Sequence, residues 1–293
     1  MAAVTDRGTS HEWLYAAIWQ HLSSVLIILL SLGAGLGNAT SQAQTSAYVT
    51  NLSGTVSVID TTNNTVVATI PVGTFPSGVA ITPDGTRVYV TNIFNSISVI
   101  DAASNTVVVT IPSGQFPTGI AITPDGTRAY VVNQFMTNQG NNTVSVIDTM
   151  TNTIVATISV GRGPSEIAIT PDGTRAYVPD QQDFIISVID TATNTVVTTI
   201  PVSGTAGIAI TPDGTRAYVT SPGGGTVSVI DTTTNTVVAT IPVGSGPVAV
   251  AITPVRRTPT GKEQCKHHGY LKFGPPAGPF KNQGRCVSYV EHH

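Results

Sequence analysis

The chain has 293 residues and a formal net charge of −3, with only 10% charged residues, 28 Gly, 19 Pro and two Cys. Sparse charge, abundant turn formers and an excess of Thr and Val are the makeup of many short strands joined by tight turns, so an all-β chain is expected. Residues 44–254 hold five Arg and no Lys against eleven Asp and one Glu, a balance of −7, which excludes nucleic-acid binding by this stretch because phosphates need clustered cations.

Along the chain, the first feature is an apolar run at 22–36 (LSSVLIILLSLGAGL). It falls short of the ~20 residues that span a bilayer. Small residues at Ser41 and Ala43 then fit a signal-peptidase site, so 1–43 reads as a signal peptide cleaved after Ala43. An uncleaved anchor is the alternative, since Asp6 and Glu12 offset Arg7. Both readings place the rest outside the cytoplasm, with no stable transmembrane span.

From Ala47 onward the sequence repeats. SVID ends at Asp60, Asp101, Asp148, Asp190 and Asp231, in steps of 41, 47, 42 and 41 residues, and TPDGTR recurs with Pro at 83, 124, 171 and 212. Such a period matches the four-stranded blade of a β-propeller. In the copy at 75–109, GVAIT, RVYVTN, SISVID and TVVVTI read as four antiparallel strands, with Pro83-Asp84-Gly85 turning the first into the second. Strand interiors apolar on both faces suit sheets covered on each side. Arg87 is expected opposite Asp101, and Arg216 opposite Asp231, as cross-strand pairs. Asp84, Asp125, Asp172 and Asp213 read as turn formers.

The array begins without a first strand, at AYVTN, and ends with only a first strand, VAVAIT at 248–253. The expected fold is therefore a propeller over 44–254, with five four-stranded antiparallel blades closed by a C-terminal strand completing the first blade. A larger ring made by two chains is the alternative.

The segments YVTN at 48–51 and 89–92, TVSVIDTTTNTVVATIPVG at 226–244 and GIAITPDGTRAYVTS at 207–221 resemble the YVTN family of β-propeller repeats. The resemblance implies a secreted or cell-surface protein of bacterial or archaeal type, often like surface-layer components. It implies no single chemistry.

Residues 44–254 contain no His, Cys or Lys, and Glu166 is their only Glu. Nucleophile–base pairs, Schiff bases and transition-metal sites draw on those types, so no catalytic residue, cofactor or metal is assigned. A hydrolase- or lactonase-like enzyme acting through Asp180, Asp183 and Glu166, Asp-dependent or Ca²⁺-dependent, is the rival reading. A purely structural surface coat is a third.

Comparing the copies locates function. The PDGTR and DTxTNT-like loops barely change, whereas the loops of the opposite face differ in every copy. All five Phe of this stretch, Phe75, Phe94, Phe116, Phe135 and Phe184, fall in the variable set, together with Met136, Arg162, Glu166, Asp180 and Asp183. Loops on a rigid scaffold are where binding usually sits, so this face is expected to bind a protein, glycan or small ligand. Rings plugging the channel mouth are the competing expectation.

Residues 255–293 form a Pro-rich tail with a balance of +5. Cys265 and Cys286 are expected to form a disulfide closing a 22-residue loop, worth ~3 kcal/mol to a small module. Zinc held by Cys265, His267, His268 and Cys286 is the alternative. The pattern CKxxGY…FKNQGRCVSYV resembles a Cys-bounded tail of assorted secreted bacterial proteins, and the basic charge suggests a cell-wall polymer as partner.

Overall fold

A computed structural model describes residues 45–134 and 142–253. The expected signal peptide, the disulfide or zinc site at Cys265 and Cys286, and Phe135 with Met136 lie outside the described residues. The chain divides into two compact units, 1–251 and 252–293, and every described strand lies in the first.

The strands form five antiparallel sheets, a β-propeller-type repeat with no helix among the described residues. Blade 1 consists of β1 (Ser46–Asn51), β2 (Thr55–Asp60) and β3 (Thr65–Pro71). Blade 2 is β4 (Pro76–Ile81), β5 (Arg87–Asn92), β6 (Ser96–Asp101) and β7 (Thr106–Pro112). Blade 3 is β8 (Pro117–Ile122), β9 (Arg128–Asn133), β10 (Thr143–Asp148) and β11 (Thr153–Ser159). Blade 4 is β12 (Ala168–Ile169), β13 (Arg175–Asp180), β14 (Ile185–Asp190) and β15 (Thr195–Pro201). Blade 5 is β16 (Ile208–Ile210), β17 (Arg216–Ser221), β18 (Thr226–Asp231) and β19 (Thr236–Pro242).

One expectation needs correction. Residues 248–253 join no ladder, and blade 1 keeps three strands. The reason is local: the Val248 carbonyl accepts the Thr220 hydroxyl at 3.0 Å, as the Thr118 carbonyl accepts Thr91 at 2.7 Å. The stretch thus follows blade 5 as an inner strand follows its predecessor, and among the described residues no strand pairs with the inner edge of β1.

The constant turns are built as their residues dictate. In each PDG turn the Asp carboxylate accepts the amide two residues on, as Thr86 N donates to Asp84 Oδ1 at 3.0 Å, and Gly85 sits at φ 72°. Arg87 stands in register with Asp101 and bonds it, and Arg216 reaches Asp231 at 2.6 Å. Arg128 and Arg175 repeat the pair with Asp148 and Asp190. The same Asp also caps its own turn. Hydrogen bonds from the Ser104 amide and hydroxyl, ahead of the Arg87 charge, hold Asp101 below the ordinary carboxylate range.

Four apolar clusters make the core, one at each contact between successive blades. Tyr89, Ile97, Val99 and Ile111 of blade 2 meet Ile120, Ala129, Val131 and Ile147 of blade 3, and the other interfaces repeat the pattern. A polar tie accompanies three of them. The hydroxyls of Tyr89, Tyr130 and Tyr177 donate to Oδ1 of Asn152, Asn194 and Asn235 in the next blade at 2.7, 2.8 and 2.8 Å. Burial pushes all three phenols up to about 12. Each of those Asn occupies the left-handed region, at φ 53–54°, so one residue both makes the turn and receives the neighbouring blade.

Candidate functional site

The variable loops enter and leave the strands through residues in the left-handed region. The carbonyls of Phe75, Phe116 and Gly163 accept the amides of Ile93, Gln134 and Gln181, which extends the strand ladders into the loop face. Gly163 adopts φ 70° there, and Gly246 adopts φ 65° at the corresponding position of the last repeat. Blades 2 and 3 place Phe75 (φ 51°) and Phe116 (φ 49°) where these glycines stand.

The same substitution occurs at a second position. The residues preceding β2, β6, β14 and β18 are Gly54, Asn95, Phe184 and Gly225, all with positive φ. Their carbonyls accept the amides of Val72, Ser113, Val202 and Val243. An L-residue in this region costs roughly 1–2 kcal/mol, and a bulky one is an outlier that points to function. Three Phe therefore occupy positions where backbone demand favours Gly or Asn.

Two of the rings stand in solvent, with Phe94 52% and Phe184 58% exposed. Phe75 and Phe116 are half-buried. Phe94 lies between them, its centroid 5.8 Å from Phe75 and 6.5 Å from Phe116, with interplanar angles of 58° and 51°. Tilted contacts of this kind hold rings in place. They build a corrugated apolar notch across the loops of blades 2 and 3 rather than one flat platform.

The charged candidates separate. Arg162 Nε reaches Asp183 Oδ1 and its amide reaches Oδ2, both at 2.7 Å, and the Arg162 side chain is 56% exposed. It is the single cation of the variable loops among the described residues. Asp180 is fully buried, with Oδ2 accepting Ser187 Oγ at 2.7 Å and Oδ1 unpartnered. Glu166 is half-buried just ahead of the inner strand β12, at the position held by Gly78, Gly119 and Gly207 in other blades. Burial pushes both carboxyls up to about 7, against hydrogen bonds from Ser187 and from the Ile167 amide that act the other way.

Asp180 takes the place of Asn51, Asn92 and Asn133 in the earlier blades. There the amide donates to paired hydroxyls, as Asn92 Nδ2 does to Ser96 at 3.2 Å and Ser98 at 3.0 Å. Of the sequence candidates, the fold thus brings Phe75, Phe94 and Phe116 together, pairs Arg162 with Asp183, and withdraws Asp180 from solvent. Reading residues singly misses the left-handed Phe positions. Aligning FP at 75–76 and 116–117 with GP at 163–164 and 246–247 carries the signal.

No protein-family profile matches the chain, and no curated protein matches it. Among solved structures it is similar to a chain of Kuenenia stuttgartiensis hydrazine synthase, at 21% identity and a TM-score of 0.54 over 71% of this chain and 86% of that one. At that identity the likeness shows the propeller-type fold alone.

Proposed function

We propose that this chain is an extracellular or cell-surface propeller that binds rather than catalyses, taking a protein ligand on its variable loop face. The observation that carries the reading is the set of Phe75, Phe116 and Phe184 at backbone positions suited to Gly or Asn. The fold does not call for aromatic rings there, so a partner is the better reason for keeping them. Exposed Phe94, gripped by two further rings, supplies an anchor of the kind that dominates protein interfaces. The tilt of the rings favours an apolar side chain lodging in the notch over a sugar stacked on a flat face. The apolar leader at 22–36 and the resemblance to YVTN repeats support an exported location.

Selection from a displayed peptide library, beside a glycan array, tests the reading with wild-type protein and Phe94→Ser. Captured peptides that are lost on Phe94→Ser are the expected outcome. Glycan capture alone moves the reading to a lectin, and capture insensitive to Phe94 removes the site. The rival hydrolase through Asp180, Asp183 and Glu166 is disfavoured by the Arg162–Asp183 pair and by the enclosure of Asp180. Hydrolysis of a lactone or ester panel that is abolished by Asp180→Asn would restore it.

A further inference from the structure

Five blades have five pairs of facing sheets, and only four pairs are packed. On blade 5 the residues that should meet a following blade are Tyr218, Val227, Val229 and Ile241. Ile241 is 43% exposed, where its counterparts Ile70, Ile111, Ile158 and Ile200 are 2–4% exposed. On blade 1 the receiving residues Val49 and Ile59 are only half-buried, whereas their blade 2 counterparts Val90 and Ile100 are fully enclosed.

The polar and main-chain halves of this contact also stand apart. The Tyr218 hydroxyl has no partner among the described residues, and the turn residue Asn64, at φ 59° like the other turn Asn, receives no tyrosine. Residues 248–251 lie in the inner-strand place after blade 5 with no strand outside them. Conversely, β1 has no inner strand among the described residues, and a cleft of about 540 Å³ lined by Ser46, Tyr48, Ile81 and the Asp84–Arg87 turn opens beside it. Each end carries what the other lacks.

We propose that a second copy of this chain fills both openings, blade 1 of one copy packing on blade 5 of the other, with residues 248–251 as the inner strand of the neighbour's β1. The step between blades argues for a second copy over closure within one chain. Gly126, Gly173 and Gly214 sit so close to Pro83, Pro124 and Pro171 of the preceding blade that an added Cβ would lie 3.3 Å from the proline ring, nearer than ordinary contact, and the Tyr–Asn ties keep 2.7–2.8 Å. These contacts repeat at three successive steps, and with them in place Ile241 stays 43% exposed at one end and Val49 and Ile59 half-buried at the other. A second copy covers them with every internal contact kept. The contact joins unlike faces, so copies form a closed ring or a filament.

The test mixes full-length chains carrying Tyr218→Cys with chains carrying Asn64→Cys and adds a short bismaleimide. A 64–218 linked peptide in the digest of the mixture, which only two chains can supply, is the expected result, with sedimentation of wild-type protein at twice the single-chain mass or above. Ile241→Asp should return that mass to one chain, and circular dichroism checks that the variant remains folded. A 64–218 link found only when both cysteines share one chain overturns the proposal in favour of self-closure. A single-chain mass at every concentration with no linked peptide overturns it as well. Loss of peptide capture by Phe94→Ser leaves this outcome untouched, since the loop notch and the blade ends share no residue.

Discussion

At Phe75 and Phe116 the backbone and the side chain make opposite demands. A left-handed φ favours Gly, while the ring contributes contacts with Phe94 worth roughly 0.5–1.5 kcal/mol. Relief of strain of about 1–2 kcal/mol should therefore offset the lost ring contacts. Phe75→Gly and Phe116→Gly are expected to stay within about 1 kcal/mol of wild type by urea denaturation, against the ~3–5 kcal/mol usual for removing a core Phe. Ligand capture should fall in the same variants. Asp180 yields a prediction of opposite kind. Its carboxyl rises from 3.8 to about 7 on burial, and that of Glu166 rises from 4.5 to about 7. Between those limits the folded state holds protons that the unfolded chain has released, so stability falls as pH rises from about 4 to about 7 and then levels. Asp180→Asn, restoring the residue of the earlier blades, should remove part of that fall and raise stability at pH 8 by on the order of a few kcal/mol. Thermal melts from pH 4 to 8 read both effects.

The strand pairs and their ties account for the constancy of the repeat. Tyr89 donates across a blade boundary, whereas Tyr218, in the same place on blade 5, has no described acceptor. Tyr89→Phe should cost about 1 kcal/mol, from leaving the half-buried Asn152 Oδ1 unpaired. At the concentrations where chains are single, Tyr218→Phe should cost almost nothing, and parallel melts make the comparison. Much of this was legible beforehand. The second and third strands, the PDG turns and the Arg–Asp register follow from residues that act on near neighbours, and local chemistry is written in local sequence. The inner strands were less so: AIT recurs unchanged in every copy, yet β8 spans six residues and β12 only two. Pairing at the hub depends on what the adjoining blade presents, Glu166 in place of Gly included. The site was half legible. Differences among copies pointed to the Phe loops, but which rings stand in solvent, and that Asp180 is enclosed, depend on packing between segments some 20 residues apart.

At the scale of the whole stack, each interior blade is held on two sides and each end blade on one. Stability in such arrays is a sum of unit and neighbour terms, so the ends should open first. Every residue of β19 is exposed, while β7, β11 and β15 each bury an Ile. At the concentrations where chains are single, amides of β19 are therefore expected to exchange with solvent deuterium before those of the other outer strands. Trypsin cuts after Lys or Arg, and between residues 45 and 253 the chain has no Lys and five Arg. Four of them begin strands, with backbone in a ladder and guanidinium on an Asp. Only Arg162 lies in a loop, followed by Gly163. Toward trypsin-like proteases the folded repeat therefore offers one loop peptide bond, at 162–163, and a partner seated on that face would hide it.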